Sequence, residues 1–231
     1  MIFLVSTHPH RGLFITFEGL DGCGKSTQLE KLAHRLRQQG CKVVVTREPG
    51  GTAAGEQIRK LLLDTSTTGL SSMAELSLMF ASRAQHIKEI IEPALADGKI
   101  VLCDRFTDST EAYQGGGRKL GSEPVLKMHK IVCQGLQPDL TILMDSDVAH
   151  SVERARRRNR SRSSQNGRGN ENRFEQENRG FFGRVREAYH AIAKREPRRV
   201  VTIDARGTIN ETHSMIVEAV HKKLKHTAKT A

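Results

Sequence analysis

The sequence predicts a three-layer α/β fold, a five-stranded parallel sheet flanked by helices. Three observations point to it. Five short apolar, β-rich runs, at 13–17, 42–46, 100–103, 140–144 and 200–203, alternate with stretches of helical periodicity, the pattern of a parallel sheet covered on both faces. Between the first run and the helix after it lies Gly19-Leu20-Asp21-Gly22-Cys23-Gly24-Lys25-Ser26, which fits G-x-x-x-x-G-K-[ST]. Charged residues also follow the second and third runs, Arg47 after one and Asp104-Arg105 after the other. Those positions are the carboxyl ends of strands, where ligands gather in open parallel sheets.

Taken in order, Leu13 to Phe17 is a buried strand and Thr27 to Gln39 a helix, with Leu29, Leu32, Ala33 and Leu36 on one face. After a turn at Gly40, Lys42 to Thr46 is the second strand, ending in the turn-rich Arg47-Glu48-Pro49-Gly50-Gly51-Thr52. Spacing leaves open whether the Glu48–Pro49 bond is cis. Ala53 to Leu63 and Met73 to Ala96 read as helices, the second bent near Pro93. The third strand, Ile100 to Cys103, leads into a loop or short helix over Asp108 to Arg118, and Val125 to Gly135 is helical. The fourth strand, Leu140 to Met144, precedes a helix that begins near Val148 and enters an arginine cluster. Residues 159–170 are low in complexity and polar, the composition of a mobile segment. Phe174 to Lys194 is helical, Val200 to Ile203 the fifth strand and Ile209 to Leu224 the last helix. A length of 231 residues suits one domain. We set it at 13–225, with an extension over 1–12 and a tail over 226–231.

The net charge of +11 raises the question of nucleic acid. Residues 154–173 carry eight arginines against one acid, and 221–231 carry four lysines and no acid, so these two patches account for the whole excess. No aromatic side chain interleaves the arginines before Arg173, so a stacking platform for bases is missing there. This argues against a nucleic-acid partner. No apolar run is long enough to span a bilayer. The four cysteines, Cys23, Cys41, Cys103 and Cys133, show no paired spacing, as expected of reduced thiols in a cytoplasmic enzyme.

The glycine-rich loop has a direct physical reading. Its glycines let successive backbone N–H groups of Gly19, Leu20, Asp21, Gly22, Cys23 and Gly24 point inward at phosphate oxygens. The first turn of the next helix, from Lys25 through Ser26 and Thr27, adds unpaired N–H groups and a positive dipole end. Lys25 can reach the β- and γ-phosphates, and Ser26 can ligate Mg²⁺, with Asp104 organising the ion from the neighbouring strand end. Arg47 and Arg105 are suited to a second phosphate, because a guanidinium binds it through a planar fork. The residues thus describe a nucleoside triphosphate site with a second anion beside it.

Four motifs carry a more specific likeness: Phe17-Glu18-Gly19-Leu20-Asp21, Thr46-Arg47-Glu48-Pro49-Gly50-Gly51-Thr52, Asp104-Arg105-Phe106 and Ala112-Tyr113-Gln114-Gly115-Gly116-Gly117. In their order and spacing the chain resembles bacterial thymidylate kinase over about residues 12 to 220. The resemblance implies the P-loop NTPase fold, a transfer of phosphoryl from ATP to dTMP, Mg²⁺ as cofactor and a homodimer. It implies that Asp21 contacts the sugar 3′-hydroxyl, that Arg47 and Arg105 hold the acceptor phosphate, and that Arg83 hydrogen-bonds thymine. It further implies that Thr110, Tyr113 and Gln114 line the base and sugar pocket. Arg154, Arg156 and Arg158 match the R-x-R-x-R run of a mobile, arginine-rich lid over about 154–173, whose guanidinium groups stabilise charge on the transferring phosphoryl group.

The chain departs from that family at three points. The position four residues before Arg83, a base-stacking phenylalanine in the family, is Met79, with Phe80 one residue along. Either Met79 packs under the base, or Phe80 stacks on it, or both are core residues. The lid is roughly ten residues longer than usual, and Asn172 stands where an aspartate is expected. Two alternatives to a thymidylate kinase follow from the residues: a kinase for another nucleoside monophosphate, or an ATP-gated nucleic-acid-binding protein built on the arginine patch.

Overall fold

Five strands, β1 (Phe14–Glu18), β2 (Val43–Arg47), β3 (Ile100–Asp104), β4 (Leu140–Asp145) and β5 (Val200–Asp204), form one sheet in the order β2-β3-β1-β4-β5, with every pairing parallel. The computed structural model describes residues 11–67, 69–166 and 173–229, with backbone alone over 158–166 and 226–229. Most of the expected N-terminal extension, the whole of the polar stretch 159–170, and Asn172 lie outside the residues whose side chains are described. Each of the five strands ends on a charged residue: Glu18, Arg47, Asp104, Asp145 and Asp204. These side chains leave the apolar layers at the carboxyl rim of the sheet, where charge can be partnered.

Alternation along the strands sorts the core into two faces. Ile15, Phe17, Leu102, Ile142 and Met144 point toward α1 (Lys25–Gln38) and α9 (Ile209–Lys229), packing on Leu29, Leu32, Leu36, Ile216 and Val220. Phe14, Val101 and Cys103 point the other way, onto α3 (Ser72–His86) and α6 (Ser122–Cys133), meeting Leu76, Phe80, Val125 and Cys133. Leu143 and Val200 extend that second face toward α8 (Arg179–Arg195), meeting Phe181, Phe182, Val185, Tyr189 and Ile192.

The helix expected over 73–96 comprises α3, a π-helical turn at Ile87–Ile91 and α4 (Glu92–Ala96). The widened turn comes just before Pro93, which has no N–H for the helical ladder. The segment after β3, open between loop and short helix in the sequence, is α5 (Thr107–Thr110) running into a π-helical segment, Glu111–Gly117. The helix expected from Phe174 divides into a 3₁₀ turn at Arg173–Gln176 and α8, because the Asn178 side chain accepts from Phe181 N at 2.9 Å and caps α8. The remaining helices are α2 (Ala53–Leu63) and α7 (Val148–Asn166). Among the described residues no helix is long and apolar enough to cross a membrane. The four cysteines are free thiols, and the Glu48–Pro49 bond is cis.

Candidate active site

The glycine-rich loop leaves β1 and enters α1 at the middle of the carboxyl rim. Gly22 shows why the loop needs glycine: its φ is +84°, and a Cβ there would lie 2.2 Å from Ser151 O at the start of α7. Gly19, Leu20 and Cys23 are buried, whereas Ser26 and Thr27, in the first turn of α1, are exposed. Lys25 is buried, and its Nζ donates to Gly19 O at 3.0 Å and Leu20 O at 2.8 Å. The ammonium therefore sits inside the loop. Burial pushes the Cys23 thiol up, against the pull of Lys25, so a small neutral group lines the loop.

Ser26 Oγ donates to Asp104 Oδ2 at 3.2 Å, which joins the loop to the end of β3. The other carboxylate oxygen, Asp104 Oδ1, is buried without a hydrogen-bond partner among the described residues. A hydroxyl and a carboxylate with a spare oxygen form a hard donor set that fits Mg²⁺. Among the described residues no group of three or more His, Cys, Asp or Glu is arranged to hold a metal. An ion at Ser26 and Asp104 would therefore take its remaining ligands from water and phosphate.

Arg105, the next residue, has a left-handed backbone with φ +73°, a conformation uncommon outside glycine and frequent at functional positions. Its Nη2 donates to Asp21 Oδ1 at 2.8 Å and to Tyr113 Oη at 3.1 Å; its Nη1 donates to Ser109 Oγ at 2.8 Å and to Tyr189 Oη at 3.2 Å. The guanidinium also lies over the Tyr113 ring at 4.8 Å. The chain has only two tyrosines, and both hydroxyls converge on this arginine. Burial pushes both tyrosine hydroxyls up, so they remain neutral. Beneath them lies Glu18, the last residue of β1. It accepts from Phe106 N at 2.7 Å, from Tyr189 Oη at 3.3 Å and from Ser109 Oγ. Burial, reinforced by the nearby Asp108 carboxyl, raises the Glu18 carboxyl to about 8.

One face of α3 builds the adjoining wall. Glu75, Met79 and Arg83 recur every four residues, hence on one stripe. Arg83 is fully buried. Its Nε donates to Glu48 Oε2 at 2.7 Å, its Nη2 donates to Thr110 Oγ1 at 2.8 Å, and its Nη1 has no hydrogen-bond partner among the described residues. Glu48 is held in turn at 2.8 Å from His86 Nδ1, whose Nε2 lies 2.6 Å from Thr46 Oγ1. Gln114 is also fully buried, its Nε2 donating to Glu75 Oε1 at 2.8 Å. The structure separates the two residues left open by the sequence. Phe80 is 1% exposed in the core and lies 4.7 Å from the Arg83 guanidinium. Met79 is half-buried against the cluster that holds Tyr113 and Phe174.

The other expected residues are dispersed around the rim. Arg47 pairs with Asp104 in the β2–β3 register, and its half-exposed guanidinium donates to both Glu56 oxygens, at 2.9 and 3.0 Å. Arg154 lines a pocket of about 260 Å³ together with Cys23, Asp147, His150 and Arg206. Arg156 donates to the Glu175 and Glu177 carbonyls at 3.0 and 3.2 Å, tying α7 to the 3₁₀ turn. The side chain of Arg158 lies outside the described residues.

A family model described as Thymidylate kinase matches residues 17–216, which include the loop, the Arg105 network and the α3 stripe. The chain belongs to the thymidylate kinase family. It is 46% identical over 218 residues to the thymidylate kinase of Pelobacter propionicus, covering 94% of this chain and 98% of that one. It is 50% identical over 193 residues to that of Desulfovibrio desulfuricans, covering 84% and 88%. The crystal structure of thymidylate kinase from Ehrlichia chaffeensis superposes with a TM-score of 0.71 at 35% identity, covering 91% of this chain and 98% of that one. Within this thymidylate kinase family member, sequence reasoning missed three buried carboxyls: Glu48 and Glu75, which hold arginines and Gln114, and Glu18, which holds the Ser109 and Tyr189 hydroxyls that contact Arg105. Their signal was present: an acid ending an apolar strand, an acid before Pro49 in a strand-end loop, and an acid on the stripe of Arg83.

Proposed function

We propose that this chain transfers the γ-phosphoryl group of ATP to dTMP, giving ADP and dTDP. The observation that carries the reading is the pair Asp104–Arg105. One residue turns to Ser26 of the phosphate loop and the next to Asp21, so a single strand end serves two anions. The loop N–H groups and the Lys25 ammonium hold the donor phosphates, the ammonium exchanging its carbonyl contacts for phosphate oxygens. Ser26 and Asp104 hold Mg²⁺, which when bound neutralises charge on the β- and γ-phosphates. The pocket lined by Arg154, His150 and Arg206 takes the rest of ATP.

On the acceptor side, Arg105 and Arg47 hold the dTMP phosphate. Asp21, already bonded to Arg105, receives the sugar hydroxyl. Thymine enters between the α3 stripe and the segment carrying Thr110, Tyr113 and Gln114, with Met79 beneath it and Arg83 Nη1 as donor to a base oxygen. The lid arginines Arg154, Arg156 and Arg158 close over the transferring group. A homodimer through α2, α3 and α6 belongs to this reading, because Leu61, Met73, Leu126 and Ile131 expose apolar surface on three packed helices. The free thiols suit a reducing cytoplasm.

The test is a coupled ADP-release assay with ATP and a panel of dTMP, dUMP, UMP, CMP and thymidine. The highest kcat/KM is expected with dTMP. A preference for thymidine or CMP overturns the assignment.

A further inference from the structure

Arg83 Nη1 and Gln114 Oε1 are buried polar atoms without a hydrogen-bond partner among the described residues. The first can only donate and the second can only accept. Two cross-links place them on the same pair of facing segments. Arg83 reaches Thr110, and Glu75 reaches Gln114, so two residues two turns apart on α3 meet two residues one turn apart on the facing segment. Met79 lies midway on α3. A slot offering one donor and one acceptor matches a base edge with a carbonyl oxygen beside a protonated ring nitrogen, as in thymine and uracil. Cytosine presents the opposite polarity, an amino group beside an unprotonated ring nitrogen.

An amide can present either end, so something must fix Gln114. Glu75 does so. It is 1% exposed and is gripped by two guanidinium groups, Arg118 (Nε at 3.1 Å, Nη2 at 3.2 Å) and Arg173 (Nη2 at 2.6 Å). A carboxylate in that grip only accepts, so the Gln114 nitrogen must face it and the carbonyl must face away. We infer that Glu75 is a specificity-determining positioning residue, which turns the Gln114 carbonyl toward the nucleobase and so selects thymine or uracil over cytosine. This rests on the dTMP reading above.

The test measures kcat/KM for dTMP, dUMP and dCMP with ATP in the unaltered protein, Glu75→Gln, Gln114→Met and the double variant, with thermal melts alongside. Glu75→Gln offers Gln114 a donor, which frees the amide to flip. It is expected to lower the dTMP:dCMP ratio about tenfold or more, the effect of one mispaired buried hydrogen bond. The dTMP:dUMP ratio should hold, because those bases share the edge in question. In the Gln114→Met background the same change should leave the dTMP:dCMP ratio where Gln114→Met alone puts it. An unaltered dTMP:dCMP ratio in Glu75→Gln, or an equal fall in both backgrounds, overturns the inference and leaves Glu75 structural. If Glu75→Gln does not fold, an unchanged ratio in Gln114→Met still overturns the inference, because there is then no Gln114 contact for Glu75 to orient. If the unaltered protein phosphorylates neither dTMP nor dUMP, the dTMP reading itself fails, and the inference with it.

Discussion

Arg105 Nη2 donates to Asp21 Oδ1 at 2.8 Å, joining the end of β3 to the phosphate loop through one ion pair. The guanidinium makes three further hydrogen bonds, to Tyr113, Ser109 and Tyr189, which use both of its terminal nitrogens. A lysine at this position keeps the charge and loses the fork. A hydrogen bond to a charged group contributes about 1.5–3 kcal/mol. Arg105→Lys should therefore lower kcat/KM for dTMP by about tenfold to a hundredfold. The KM for ATP should change little, because the donor phosphates rest on the loop. Steady-state kinetics with each substrate varied in turn decides this. Equal loss toward both substrates would move Arg105 from the acceptor site to a purely structural role.

Glu18 predicts how stability responds to pH. Its carboxyl lies at about 8 in the folded chain against an ordinary value of 4.5, chiefly because it is buried and secondarily because Asp108 is near. Arg105 pulls the other way but does not prevail, and Arg199 engages the Asp108 carboxyl through two hydrogen bonds, at 2.6 and 2.9 Å. Between those values the folded chain retains a proton that the unfolded chain has released. The contribution of Glu18 is thus complete below about 4.5 and is lost as pH rises through about 8. Melting curves from pH 5 to 8.5 should show Tm falling with pH more steeply in the unaltered protein than in Glu18→Gln, which carries no ionisable group there. Parallel curves for the two proteins would refute it.

Much of this arrangement was legible in the chain. Five apolar runs separated by helical periodicity define a parallel sheet with little ambiguity, and the residues that follow each run fall at its carboxyl rim. The strands extend one residue beyond the apolar runs at Arg47, Asp104, Asp145 and Asp204, because a charged side chain can end a ladder while its backbone still pairs. The segment Glu111–Gly117 was less legible. Three consecutive glycines leave it open between a loop and a short helix, and the segment is helical with α8 packed on it. A Cβ at Gly117 would lie 2.5 Å from the Phe181 ring, so that glycine answers to a partner 64 residues away. Arg47 illustrates a different limit. Its type and position indicate an anion ligand, but nothing local foretells that Glu56 would hold its guanidinium. The buried acids were the hardest to assign, since a carboxyl acquires its role only when tertiary packing brings arginines, tyrosines or an amide around it.

Met79 and Phe80 are adjacent in sequence and serve different layers. One residue along a helix rotates the side chain by about 100°, which here takes Phe80 into the core beside Leu76, Phe14 and Phe106 and leaves Met79 on the stripe with Glu75 and Arg83. Phe80→Ala removes a fully buried ring and should cost about 3–5 kcal/mol in urea unfolding. It also removes the ring that lies 4.7 Å from the Arg83 guanidinium. Met79→Ala removes a half-buried, adaptable side chain, and should change stability by about 1 kcal/mol or less while raising the KM for dTMP several-fold at nearly constant kcat. Denaturation and dTMP kinetics on both variants separate the roles. The reverse result, with Met79→Ala unfolding easily and Phe80→Ala changing only the KM, would mean that Phe80 faces the base.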